Sequence, residues 1–260
     1  RIGNDRTRAE RSRAKFLDTR TELSDGQRRL KVDGVKALPL LDGDRQRIDA
    51  MWQPLVASSG NPTFFQILDA ARRIAGTGSL GVERYVILVA GKGSPDGNYL
   101  LDLKRAVPSS LPKAKKATSI HWSSQAERVV KMQSTLQRVP VAFLKAVVDE
   151  ERSYVLRGLL PSEDRVSLAD AGKKKRLRQV IDSMARLTAW AHLRGCTLPG
   201  TVPVQELIAY LRQEDWQKPL RKAAKTCVEQ TLADWQAYAA AYDDGYFSGQ
   251  PRRKSVAKEG

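Results

Sequence analysis

The sequence is poor in the residue types that bind metals or form disulfides. Among its 260 residues there are two cysteines, Cys196 and Cys227, and two histidines, His121 and His192. Two cysteines are too few for a disulfide framework or a zinc knuckle. We therefore expect both to be free thiols in a reducing compartment, which favours a cytoplasmic location.

Long hydrophobic runs and aromatic residues are also scarce. No run approaches the roughly 18 apolar residues that a membrane-spanning helix needs, so we expect no membrane span. Aromatic residues make up 7% of the chain, which disfavours a protein that stacks single-stranded bases on an aromatic platform. Hydrophobic residues nevertheless make up 41%, which is typical of a folded globular chain.

Acidic residues are outnumbered by basic ones. The chain has 45 Lys and Arg against 29 Asp and Glu, which gives a net charge of +16. Such a charge attracts polyanions over long distances, so RNA or DNA is a candidate partner, bound without catalysis. No zinc-finger, RRM or helix-turn-helix signature accompanies the charge, and a solvated basic surface is the simpler explanation. The basic clusters lie at 6–13, 113–116, 173–178 and 251–258.

The most informative stretch runs from Gly76 to Lys104. It contains the glycine-rich loop GTGSLG (76–81), the apolar run RYVILVA, a second glycine-rich turn, and the apolar run NYLLDLK that ends at Lys104. Glycine lets backbone N–H groups approach phosphate oxygens without a Cβ clash, and a lysine adds a positive charge. This order predicts a nucleotide site of the protein-kinase kind, although the loop alone is equally compatible with an ordinary hairpin turn.

The segments after Lys104 continue the order of a kinase amino-terminal lobe. Residues 123–139 predict a helix capped by Ser123 or Ser124, with Glu127 in its first turns. Residues 141–160 predict two strands around a turn at 149–152. In kinases the helix glutamate pairs with the strand lysine and aims it at the phosphates. Glu127 fits that role, and it also fits a solvated helix charge.

The remaining segments predict an α+β fold, in which a small antiparallel sheet with one crossing helix is joined to a helical subdomain. A helix at 44–57 should cover the sheet through Ile48, Met51, Trp52 and Leu55, and a short helix should follow Asn61-Pro62. Residues 1–23 should pack weakly or need a partner, and Trp190 and Trp235 should fill a helical core. By composition we divide the chain into a basic helical and linker segment (1–60), the glycine-loop lobe (61–160), a helical subdomain (161–245) and a disordered basic tail (246–260).

Four segments together resemble one bacterial family. DAARRIAGTGSLGVERYVILVAG (69–91), LLDLKRA (100–106), QAERVVKMQ (125–133) and SYVLRGL (153–159) are similar to the carboxy-terminal half of the domain of unknown function 2252 family. The similarity extends roughly from Arg11 to Tyr246. The family resembles kinase-like phosphotransferases with their lobes in permuted order. The resemblance implies an ATP site formed by Gly76, Gly78, Ser79, Gly81, Lys104 and Glu127.

The resemblance also implies motifs that this sequence does not contain. In the family, motifs resembling GDxHxxN and NDFD precede the glycine loop and correspond to a catalytic loop and a metal site; neither occurs here. HLRG (192–195) and DDGYF (243–247) do not replace them. We therefore expect a nucleotide-binding half, inactive by itself, whose missing amino-terminal half would supply the Mg²⁺ ligands. By the same analogy, Leu156–Leu159 would be the hinge that binds adenine.

Overall fold

The computed structural model describes residues 13–76, 79–109, 120–149, 152–160 and 174–247. Contacts group the chain into two compact units, residues 1–201 and 202–260. The first unit is built of sheets and helices, and the second contains helices. The predicted α+β class is therefore confirmed for the described residues.

The first unit contains a two-stranded hairpin and a six-stranded sheet. The strands are β1 (Thr21–Ser24), β2 (Gln27–Leu30), β3 (Ala37–Leu38), β4 (Ile67–Arg73), β5 (Arg84–Val89), β6 (Tyr99–Arg105), β7 (Lys145–Asp149) and β8 (Arg152–Gly158). β1 pairs with β2, and the other six lie in the order β3-β4-β5-β6-β8-β7. All of these pairings are antiparallel. The predicted hairpin at 141–160 is thus present as β7 and β8.

The helices agree closely with the hydrophobic periodicity. The first unit has a helical segment at 13–18 and the helices α1 (Asp44–Ala57), α2 (Gln125–Leu136) and α3 (Lys174–Gly195). The second unit has α4 (Val204–Leu211) and α5 (Gln217–Asp243). No helix among the described segments is long and apolar enough to cross a membrane.

The main core lies between α1 and one face of the six-stranded sheet. Side chains alternate between the two faces of a strand, so Leu101 and Leu103 of β6 point into this core while Asp102 and Lys104 point to the other face. The predicted stripe of α1 is buried here, as its four members are at most 7% exposed. Trp52 also donates its Nε1–H to the carbonyl of Phe65 at 2.6 Å. The cluster comprises Ile48, Met51, Trp52, Leu55, Tyr85, Ile87, Val89, Leu101, Leu103, Val147, Tyr154 and Leu156.

The opposite face of the sheet is covered in part by the amino-terminal segment. Leu17 of the helical segment 13–18 is 1% exposed, and Leu30 of β2 is 6% exposed. Both belong to an apolar cluster with Leu88 and Leu100 of the sheet. Of the two expectations for residues 1–23, weak packing is therefore wrong at Leu17, because this side chain is buried in an apolar cluster on the sheet.

Two further predictions are corrected by the structure. The helix expected after Asn61-Pro62 is only a 3-10 turn at Thr63–Phe65, because the chain enters β4 at Ile67 and pairs with β5. Trp190 and Trp235 do not fill a helical core, since they are 51% and 62% exposed. Their periodicity correctly places them on helices α3 and α5, but it does not identify a partner for those helix faces.

Candidate functional site

The glycine loop connects β4 and β5. Gly76 and Gly81 have φ angles of 82° and 80°, in the left-handed region that favours glycine. The Ser79 N–H donates to the Gly76 carbonyl at 3.2 Å, and the Val82 N–H donates to the Ser79 carbonyl at the same distance. A Cβ on Gly81 would have no other atom within 4 Å, so the backbone there borders open space. Gly78 lies outside the described residues.

Arg84, the first residue of β5, fixes the base of the loop to the sheet. Its Nη1 donates to the carbonyl of Ala75, which directly precedes the loop, at 3.1 Å. Its Nε and Nη2 donate to the two carboxylate oxygens of Asp102 at 2.6 and 2.7 Å. Because Ala75 precedes the loop and Arg84 follows it, one guanidinium holds both ends of the loop against β6.

Asp102 lies two residues before Lys104 on the same face of β6 and is 1% exposed. Arg73 donates to it at 3.0 Å and Arg157 at 3.2 Å, so three guanidinium groups surround this carboxylate. Burial acts to raise the pKa of Asp102, but the hydrogen bonds and charges of the arginines outweigh burial and lower it. The sequence interpretation missed Asp102. The available signal was one acid inside the apolar run NYLLDLK, which needs a partner when buried.

Glu83, two residues after the loop, is held on the face of the sheet opposite to Arg84 and Asp102. Glu83 accepts hydrogen bonds from Arg152 at 2.5 Å and from the Tyr154 hydroxyl at 2.8 Å. Arg105 of β6 lies 3.8 Å from the same carboxylate. The loop exit is thus held on both sides of the sheet, by Glu83 on one face and by Arg84 on the other.

Lys104 lines a cavity of 270 Å³ between the loop, β6, β8 and α2. Its ammonium group has no ion pair or hydrogen bond with any residue that the structure describes. Burial, followed by the nearby charge of Arg84, lowers the pKa of Lys104. The cavity is lined by Ser79, Val82, Lys104, Arg105, Ala106, Val107, Val129, Gln133, Val155 and Arg157.

The charges around this cavity are unbalanced. Its described lining carries Lys104, Arg105 and Arg157 and no carboxylate. Arg157 is bound to Asp102, and Arg105 lies near Glu83, whereas Lys104 has no such partner in the described part of the chain. The lining therefore suits an anion. It does not suit Mg²⁺, which prefers carboxylate and other oxygen ligands, so these residues do not form a magnesium site. Nor do the described segments contain any group of three or more His, Cys, Asp or Glu that could hold a metal.

Glu127 is not brought to Lys104. Its exposed carboxylate accepts hydrogen bonds from the N–H and Oγ–H of Ser123 at 2.7 and 2.6 Å. These bonds lower the pKa of Glu127. Ser124 is the helix cap, since its Oγ accepts from the Glu127 N–H at 3.1 Å. The expected pairing with Lys104 is corrected accordingly: Glu127 stabilises the start of α2, and Gln133 is the polar residue that α2 contributes to the cavity.

The capping assignment makes a prediction for stability. Ser124→Ala removes the acceptor for an N-terminal N–H of α2 and should lower the free energy of unfolding by about 1 kcal/mol. Ser134→Ala, on an exposed position of the same helix, is the matched control and should change it by less than about 0.5 kcal/mol. Urea unfolding followed by circular dichroism measures both. Equal effects of the two substitutions would contradict the capping role of Ser124.

The fold and the cavity together define an α+β protein with a cationic pocket beneath a glycine loop. The chain belongs to the family described as "Uncharacterized protein conserved in bacteria (DUF2252)", whose model matches residues 4–241. No curated protein matches the chain, and no solved structure matches it. The resemblance inferred from the four sequence segments is confirmed at the level of the family.

Proposed function

We propose that the protein binds the phosphate groups of a nucleotide, with ATP as the expected ligand, between the glycine loop and Lys104. One observation carries the proposal: Ser79 of the loop and Lys104 of β6 line one cavity whose described lining also includes Arg157 and has no carboxylate. An anion would remove the electrostatic cost of placing these charges close together.

Lys104 is the main electrostatic contact in this proposal. Val82, Val129 and Val155 form apolar walls of the cavity, which limit water around the ammonium group. An ion pair formed away from water is stronger than one on the surface. A bound phosphate should therefore raise the lowered pKa of Lys104 and receive charge-assisted hydrogen bonds from its Nζ.

The glycine loop would contribute backbone N–H groups. Gly81 has a left-handed φ and open space where a side chain would stand, so an oxygen atom can approach the backbone closely. Gly81 lines a neighbouring cavity of 440 Å³ that shares Ser79 and Val82 with the cavity at Lys104. Successive N–H groups in such turns form concave anion sites. The hydrogen bonds of Arg84 to Ala75 and Asp102 would keep these donors in place before the ligand arrives.

The order of elements supports a kinase-like lobe for residues 67–158. Strand β4, the glycine loop, β5, β6 with Lys104, the helix α2, and the hairpin β7-β8 follow one another as they do in such lobes. Phosphoryl transfer additionally needs a base and metal-binding carboxylates near the phosphates. Because no carboxylate lines the described cavity, we propose binding, and not transfer, for these residues.

Titration calorimetry of the 260-residue chain with ATP tests the proposal. Lys104→Ala should weaken binding by about 1.5–3 kcal/mol, which is roughly tenfold to 150-fold in affinity. Lys145→Ala is the matched control, because Lys145 is an exposed residue of the same sheet and its loss changes the net charge equally. This control should bind ATP like the wild type.

Two outcomes would contradict nucleotide binding at this site. The first is the absence of ATP binding by the wild type at low ionic strength. The second is equal weakening in Lys104→Ala and Lys145→Ala, which would mean that ATP responds to the general positive charge of the chain and not to the cavity.

A further inference from the structure

The sheet face next to Lys104 is closed directly along β6. Moving back along β6, the residues on the face of Lys104 are Asp102 and Leu100. Asp102 is 1% exposed and surrounded by arginines, and Leu100 is 4% exposed and packed in the cluster that contains Leu17 and Leu30. A base placed directly over β6 would have to displace either the buried ion pairs of Asp102 or the packed side chain of Leu100.

The backbone that would read the edge of a base is already engaged. By analogy with kinases, adenine would bind the segment Leu156–Leu159 at the end of β8. The Gly158 N–H instead donates to the Ala142 carbonyl at 2.6 Å, and the Leu159 N–H donates to the Leu100 carbonyl at 2.9 Å. Both donors are therefore occupied within the protein.

The cavity itself is smaller than a whole nucleotide needs. Pockets that enclose most of a drug-sized molecule measure about 300–1,000 Å³, whereas the cavity at Lys104 measures 270 Å³. Its cations Lys104 and Arg157 match one end of a nucleotide, the phosphate chain. The nucleoside would then remain outside the described cavity.

We propose that the site recognises a triphosphate chain and does not select the nucleoside attached to it. This inference rests on the proposed binding of nucleotide phosphates at Lys104, and it specifies the ligand class. ATP, GTP and inorganic tripolyphosphate present the same chain of phosphates to Lys104 and Arg157. Adenosine presents no negative charge to them.

Competition against a fluorescent ATP analogue, with the 260-residue chain at low ionic strength, tests this inference. ATP, GTP and tripolyphosphate should compete with affinities within about threefold of one another, and adenosine should not compete. All three phosphate compounds should lose roughly tenfold or more in affinity in Lys104→Ala and keep their affinity in Lys145→Ala. The two variants have the same net charge, so a difference between them reports on the position of the lysine.

The outcomes separate the two proposals. ATP binding at least about tenfold tighter than both GTP and tripolyphosphate would overturn base-independent recognition and leave nucleotide binding intact. Failure of all three phosphate compounds to bind would overturn both proposals. Equal tripolyphosphate binding by wild type and Lys104→Ala would place that anion elsewhere on the basic surface and would also overturn the inference.

Discussion

Asp102→Ala should destabilise the protein by about 3–5 kcal/mol, the cost of breaking a buried ion pair from one side. The side chains of Arg73 and Arg84 are 12% and 10% exposed, so they cannot regain full hydration when the carboxylate is removed. Their positive charges would then face each other and that of Arg157 without compensation. Urea unfolding at pH 7 measures the loss, and the base of the glycine loop should loosen with it, because Arg84 loses its partner.

An exposed ion pair provides the control for Asp102. Asp182 and Arg186 lie one turn apart on α3, and their side chains are 62% and 67% exposed. Pairs of this kind contribute about 0–1 kcal/mol. Asp182→Ala should therefore change stability by less than about 1 kcal/mol. A loss at Asp102 no larger than the loss at Asp182 would show that the arginine cluster is not held by its carboxylate.

The same carboxylate should contribute to acid unfolding. The folded pKa of Asp102 is lowered, so its ionised form is favoured by folding. Its contribution is fully present above the unfolded pKa of about 3.9, and it is lost as pH falls through the folded value. Asp33 should also contribute to acid unfolding in this pH range, because hydrogen bonds from the N–H groups of Ala37, Lys36 and Val35 lower its pKa to about 2. The difference between wild type and Asp102→Asn isolates the part that belongs to Asp102.

Elements specified by neighbouring residues could be predicted from the sequence. The stripe Ile48, Met51, Trp52 and Leu55 repeats at helical spacing, and it indeed forms the buried side of α1. Ser124 precedes α2 by one residue and caps it. These features depend on contacts within one or two helical turns, so the spacing in the chain carries most of the information.

Features that depend on strand order could not be predicted in the same way. Arg73, Arg84 and Arg157 come from β4, β5 and β8, and only the order of these strands around β6 brings them to Asp102. In the sequence, Glu127 could be either a solvated helix charge or the partner of Lys104. The nearby Ser123 satisfies it with little loss of chain entropy, whereas a distant lysine requires a particular helix rotation. Local hydrogen bonding therefore decided its role.

Gly97→Ala should also have a large effect on stability, although Gly97 lies outside the glycine loop. It belongs to the turn between β5 and β6, where its N–H donates to the Gly93 carbonyl at 2.8 Å and its own carbonyl accepts from the Lys92 N–H at 2.8 Å. A Cβ on Gly97 would overlap the Gly93 carbonyl oxygen and lie 2.7 Å from the carbonyl carbon of Lys92. The turn would have to open and lose these bonds, which we expect to cost about 2–4 kcal/mol.

Gly81→Ala is the informative comparison, because the two glycines are required for different reasons. A Cβ on Gly81 meets no other atom within 4 Å, and only the left-handed φ of 80° opposes it. Its stability cost should be about 1–2 kcal/mol. The methyl group would nevertheless occupy the space through which we propose that phosphate reaches the backbone, so ATP affinity should fall in Gly81→Ala. Gly97→Ala, measured where it is fully folded, should keep the affinity of the wild type. Loss of ATP affinity in Gly97→Ala with none in Gly81→Ala would remove the glycine loop from the phosphate site.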